Sequence, residues 1–188
     1  MKRSLMLALF LLVAAAQLYA PLSQIWTYEQ ILKTGRLYKF RTAPVDPSDA
    51  FRGRYVSLNF QGTWAPVKKG DKLDYRQHAC VRLEEGPDGF VQFKELSLAP
   101  PKEADYVKVE CTWGNPPTMN FTLPFDRYYM EESSAPKAEE AYREFGNRRN
   151  QTTDQTYVLV RISAGKAVIQ DLCIKDQPIR SFLKEQRN

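Results

Sequence analysis

Histidine is nearly absent from this 188-residue chain: His78 is the only one. A single imidazole excludes zinc sites built on paired histidines, and a hydrolase with a histidine base would have to be built on it alone. His78 lies in an alternating run with no sharp nucleophile turn around it, so neither use is expected. Cysteine is scarce as well. Cys80, Cys111 and Cys173 are widely separated and form no C-x-x-C pair, which removes the short ligand spacing of structural zinc and dithiol redox sites. Each sits in an apolar alternating run, where a free thiol packs as a small hydrophobe. Pairing of two of them in an oxidising compartment is the alternative. Glycine is outnumbered by proline, 9 to 12, which favours stiff connections. There is no low-complexity segment and no solenoid period. The net charge of +5 is scattered, partly at Lys2-Arg3 and partly in the tail at Arg180, Lys184 and Arg187. A nucleic-acid surface needs a basic stripe interleaved with aromatics, so no nucleic-acid partner is expected. Nor is any metal or cofactor.

What the chain does have is a long apolar start. Lys2-Arg3 is followed by an uncharged stretch from Ser4 to Tyr28. Ala14-x-Ala16 fits a signal-peptidase site, but the run is long enough to cross a bilayer, which needs ~20 residues. The length favours an uncleaved anchor over residues 1–28. Trp26 and Tyr28 would sit at the outer interface, and Pro21 would kink or end the span near its outer edge. Positive charge at the start places the N-terminus in the cytoplasm. Residues 29–188 then form an extracytoplasmic domain held to membrane lipid by the first helix.

The rest reads as mainly β. Thr27 with Gln30 has a capping-box pattern and Gly35 is a helix stop, which predicts a short helix leading into a strand over 36–42. Residues 53–60 alternate, with Tyr55, Ser57 and Asn59 on one side and Val56, Leu58 and Phe60 on the other. A turn over 67–71 precedes a hairpin of 72–84 and 90–98 around Gly86-Pro-Asp-Gly89. Further strands are predicted over 106–113 and 119–129, a helix over 137–145, and a last hairpin of 155–162 and 166–174. The second arms of the two hairpins match: Glu95 aligns with Asp171 and Leu96 with Leu172. Upstream of each lies an Arg-Tyr strand, Arg54-Tyr55 and Arg127-Tyr128. Two copies of this order suggest two β-rich halves packed together, although any two hairpins share turn glycines and alternation.

Gly53, Tyr55 and Leu58, followed by Arg127-Tyr128-Tyr129, a Glu-rich helix and Gly165-Lys166-Ala167-Val168, resemble the bacterial membrane-anchored family named for its GDYxxLxY motif. Arg54 stands where the family usually has Asp, and Phe60 where it has the last Tyr. The resemblance implies a membrane-anchored protein and carries no activity with it.

Two groups of residues invite a functional reading. Asp46 and Asp49 lie three apart in a turn with Arg52 close by; such groups bind a cation or orient a substrate amine, or simply cap turns. Arg54, Tyr55, Arg127 and Tyr128 are expected to adjoin in one seam, since Arg stacks on Tyr while still donating to an acceptor. The expected function is a non-enzymatic accessory module that binds a membrane-protein partner. The alternative is a membrane-tethered hydrolase or metal-dependent enzyme using Asp46, Asp49 and Arg52.

Overall fold

A computed structural model gives the fold; it describes residues 2–43, 55–115, 117–146 and 156–185. One helix, α1 (Lys2–Thr34), leads the chain. It continues through Pro21, so the short helix expected before the first strand is present as the last turns of α1 rather than as a separate element. Thr27 accordingly caps nothing: its Oγ1 donates back to the Ser23 carbonyl at 2.8 Å, the bond a mid-helix threonine makes. The helix is long and apolar enough to cross a membrane. Its lower turns are bare of contacts, but Ser23, Thr27, Gln30 and Ile31 share one face that turns away from solvent, at the spacing of a helical stripe. That face meets the hairpin of β10 (Thr156–Ser163) and β11 (Lys166–Ile174).

Strand β1 (Arg36–Ala43) begins one residue past the helix. At the junction Gly35 N donates to the Ile31 carbonyl at 2.8 Å. A Cβ there would lie 2.5 Å from the Ile31 oxygen and 3.1 Å from the Ile162 oxygen. Only glycine lets the helix end come down onto β10.

The two-halved antiparallel β architecture is present. One sheet has the order β12-β11-β10-β1-β3, with β3 at Asn59–Phe60 and β12 at Gln177–Pro178. The other has the order β4-β8-β7-β5-β6. Its strands are β4 (Trp64–Pro66), β5 (His78–Glu85), β6 (Val91–Ser97), β7 (Tyr106–Asn115) and β8 (Thr118–Thr122). A short ribbon of β2 (Tyr55–Ser57) and β9 (Arg127–Tyr129) joins them. Helices α2 (Ala135–Gly146) and α3 (Ile179–Glu185) pack against each other.

The two hairpins correspond residue by residue. Val81 faces Leu96 and Arg82 faces Glu95, then the register slips so that Leu83 faces Phe93. Val158 faces Leu172 and Leu159 faces Asp171, then Val160 faces Ile169 after the same slip. The extra residue is Lys94 in one and Gln170 in the other. The β5–β6 hairpin pairs with β7, whereas the β10–β11 hairpin pairs with β1. Each hairpin thus docks on the first strand of the other half, and the halves are interleaved rather than side by side.

The motif stretch is not one strand. Tyr55–Ser57 pairs with β9 and Asn59–Phe60 with β1, and Leu58 N donates to the Asp126 carbonyl at 2.8 Å between them. Its alternation survives the change of partner: Val56 and Leu58 are buried while Asn59 is exposed. The predicted strand over 119–129 is likewise broken, because Pro124 has no N–H to offer a ladder, leaving β8 and β9. Between the sheets, the Phe40 ring stands edge-on to Phe125 at 5.3 Å and to Phe60 at 6.0 Å, and packs at 6.0 Å on Phe93. Phe93 in turn meets Phe121 at 5.0 Å. All three cysteines are free and buried. Burial pushes each thiol up, Cys173 to about 11, which keeps them protonated and unreactive at neutral pH.

Candidate functional site

At the ribbon of β2 and β9, residues from the sequence motif pair with residues from the far half. Tyr55 lies opposite Tyr129, Val56 opposite Tyr128, and Ser57 opposite Arg127. On the solvent face the Tyr55 and Tyr129 rings are 5.6 Å apart, and the Arg127 guanidinium carbon sits 5.1 Å from the Tyr55 centroid. Arg127 Nε also lies 3.6 Å from Asp126. A hydrogen bond with Tyr129, then the charge of Asp126, holds Arg127 above its usual range. Arg127 and Tyr129 alternate outward because Tyr128, between them, turns into the core.

Tyr128 reaches through the ribbon to the other sheet. Its hydroxyl donates to Asp171 Oδ1 at 2.8 Å, and the same oxygen accepts from Leu172 N at 2.9 Å. Arg180, at the start of α3, faces the same hydroxyl. Desolvation, then the bond to Asp171, pushes the Tyr128 phenol up to about 12. Tyr142, whose hydroxyl donates to the Ala43 carbonyl at 3.0 Å, is also pushed up to about 12, by burial. Both phenols are therefore held neutral. The stability they contribute is complete below pH 10, the ordinary tyrosine pKa, and is lost as pH rises through 12.

Tyr128→Phe removes the donor and leaves Asp171 with a desolvated lone pair. It is expected to cost about 1.5–3 kcal/mol at neutral pH, the range for a hydrogen bond to a charged group. From pH 10 to 12 the variant should lose less of its remaining stability than wild type, and melting curves across that range measure both effects. An identical alkaline decline in the two proteins means that Tyr128 does not titrate as its surroundings dictate.

Below the ribbon runs a groove of about 620 Å³. One wall is the loop and strand from Pro124 to Tyr129, and the other is β11 from Ala167 to Asp171. Arg180, beside the Tyr128 hydroxyl, and Tyr28, on the helix, also line it. The groove therefore begins at the foot of α1.

Of the residues singled out in the sequence, Tyr55, Arg127 and Tyr128 come together on this ribbon. Asp46, Asp49, Arg52 and Arg54, like Gly53, lie outside the described residues. Among the described residues no group of His, Cys, Asp or Glu is arranged to hold a metal ion. Asp171 and Arg180 are the residues here that sequence reasoning misses. Asp171 was visible only as the counterpart of Glu95 in the hairpin match, and nothing local in the sequence points to Arg180.

Neither the curated proteins nor the solved structures give a significant match to this chain. The sequence profile described as GDYXXLXY protein matches residues 17–172, a span that runs from the middle of α1 through the ribbon to the second bulged hairpin. The chain belongs to the GDYXXLXY protein family.

Proposed function

We propose that this protein is a membrane-anchored extracytoplasmic module that binds a partner membrane protein and performs no chemistry of its own. The observation that carries this reading is the position of the groove. Tyr28 of α1 lines it, and Arg127, Tyr129 and Arg180 line the remainder, so the exposed Tyr–Arg surface meets the foot of the apolar helix. Tyr and Arg supply much of the binding energy in protein interfaces. With α1 in a bilayer and Lys2-Arg3 on the cytoplasmic side, residues 29–188 stand outside the cytoplasm and the groove faces whatever spans the membrane beside it.

Two measurements test the reading. Intact mass of the membrane-extracted protein is expected to include residues 1–16; a mature N-terminus at Gln17 overturns the anchor. Arg127→Ala in the full chain, purified in mild detergent, is expected to lose at least tenfold of a co-purifying membrane protein while melting within about 0.5 kcal/mol of wild type, as exposed substitutions do. Unchanged co-purification, or a large drop in melting instead, removes the binding role from this surface.

A further inference from the structure

Tyr157 and Cys80 occupy the same place in the two halves. Tyr157 stands between Cys173 on β11 and Arg41 on β1, and Cys80 stands between Ser97 on β6 and Lys108 on β7. Two residues further on, Leu159 faces Lys39 and Arg82 faces Tyr106. Lys108 is therefore the counterpart of Arg41, and Tyr106 of Lys39. Over Tyr157 the sheet face is closed by a ring from the other half. Phe90, at the tip of the β5–β6 hairpin, bridges Lys39 and stands edge-on to Tyr157 at 5.7 Å. The Arg41 guanidinium carbon lies 4.0 Å from the Phe90 centroid, and Arg41 Nη2 donates to Asp88 Oδ2 at 2.8 Å. With Cys173, the two rings form a small apolar cluster apart from the main core. The insert is thus a turn that carries a carboxylate and, two residues later, a ring.

Over Cys80 the corresponding insert is missing. Counted back from the shared bulge, Phe90 corresponds to Lys166 and Asp88 to Ala164, and both replacements are exposed. The second hairpin therefore brings neither ring nor carboxylate to Cys80. A cavity of about 770 Å³ lies there instead, lined by Cys80, Tyr106 and Lys108 together with the apolar Leu98, Leu123 and Pro124. Glu110, in the same lining, lies opposite His78. Among the described residues Lys108 makes no ion pair. We propose that this cavity is a second docking site, which takes an aromatic side chain and a carboxylate two residues before it, presented on a turn of a partner protein. The guest ring stands over Cys80 as Phe90 stands over Tyr157, and a thiol in place of the phenol gives it more depth. Lys108 replaces Arg41, pairing with the guest carboxylate while it covers the ring face. An aromatic anchor in a pocket is the kind of contact that carries most of the energy in a protein interface. The site is apart from the groove of Tyr28, Arg127 and Arg180, although Pro124 lines both.

The test uses the full chain in mild detergent. Its probe is a peptide of residues 84–92, the chain's own insert, with benzoylphenylalanine in place of Phe90. Saturable photocrosslinking is expected, mapped to residues 78–80, 106–110 or 122–124. Lys108→Glu, at an exposed position, should lower the yield at least about tenfold with unchanged melting, because like charges then face each other. The peptide with Asp88→Lys should lose as much on the wild-type chain and regain it on the Lys108→Glu chain. Crosslinks at Lys39, Arg41 or Tyr157 mean that the peptide displaces the chain's own hairpin tip, and they overturn the second site. So do crosslinks confined to the groove, a failure to saturate, or a yield indifferent to both charge changes. Unlabelled peptide should compete, and equal competition by its Phe90→Ala form, in which no ring is read, also overturns it. Failure here leaves the groove reading standing, since Arg127-dependent co-purification tests that separately.

Discussion

Phe40→Ala is expected to destabilise the domain by about 3–5 kcal/mol, the range for removing a buried aromatic ring. Phe40 is 1% exposed. Its ring meets Phe60 on its own sheet, Phe93 on the opposite sheet and Phe125 from the loop before the ribbon. The substitution therefore leaves a cavity walled by three other rings, two held in strands and one in the loop before β9, none free to collapse inward. Phe40→Leu keeps most of the volume and is expected to cost less than half as much. Denaturant unfolding of the full chain in detergent measures both. If the alanine variant loses less than about 1 kcal/mol, the aromatic cluster is not what joins the halves.

Gly35→Val is the second large effect. The new Cβ would press on the Ile31 oxygen at 2.5 Å and on the Ile162 oxygen and nitrogen at 3.1 and 3.2 Å. All three are backbone atoms that hold the helix end or β10 in register, so none can swing aside as a flexible side chain would. Overpacking of this kind costs about 1–3 kcal/mol, and more where backbone must move. The expected result is a helix that lifts from the β10–β11 hairpin: lower melting, together with protease cleavage near residues 33–37 that wild type resists. Gly35→Ala should show the same sign with a smaller magnitude. Wild-type cleavage rates for the valine variant are incompatible with a closely seated junction.

How much was legible in the sequence depended on whether the determinant was local. β1, both hairpins and α2 carry period-2 or helical patterns bounded by turn residues, and they appear close to where those patterns place them, except that the first hairpin's leading strand starts at His78 and not at 72. The second hairpin even shows its turn, with Ala164 and Gly165 both at positive φ, the conformation that a two-residue connection demands. The misses are long-range. Nothing near Leu58 announces that its amide binds the Asp126 carbonyl and splits the motif between two partners. Pro21 reads as a breaker, yet α1 continues through it at the loss of the one bond its missing N–H cannot make. α3 is short, and its Arg180 matters only because Tyr128 arrives from 52 positions earlier in the chain. The seam of Tyr55 and Arg127 was readable because the Arg-Tyr pair recurs in each half. Its connection to Asp171 depends on interleaving, which no window of sequence contains. Asp46, Asp49 and Arg52 lie outside the described residues.

The junction at Gly35 has a mechanical consequence. The helix ends one residue before the first strand, and its last turns are seated on a hairpin. The coupling has no slack. Were α1 in a bilayer, the groove would keep a set height and a set azimuth relative to the helix, and the partner proposed above would have one angle left to search, rotation about the membrane normal. The same stiffness acts in the other direction. A load on the groove would reach the helix as torque and, were α1 in a bilayer, as tilt.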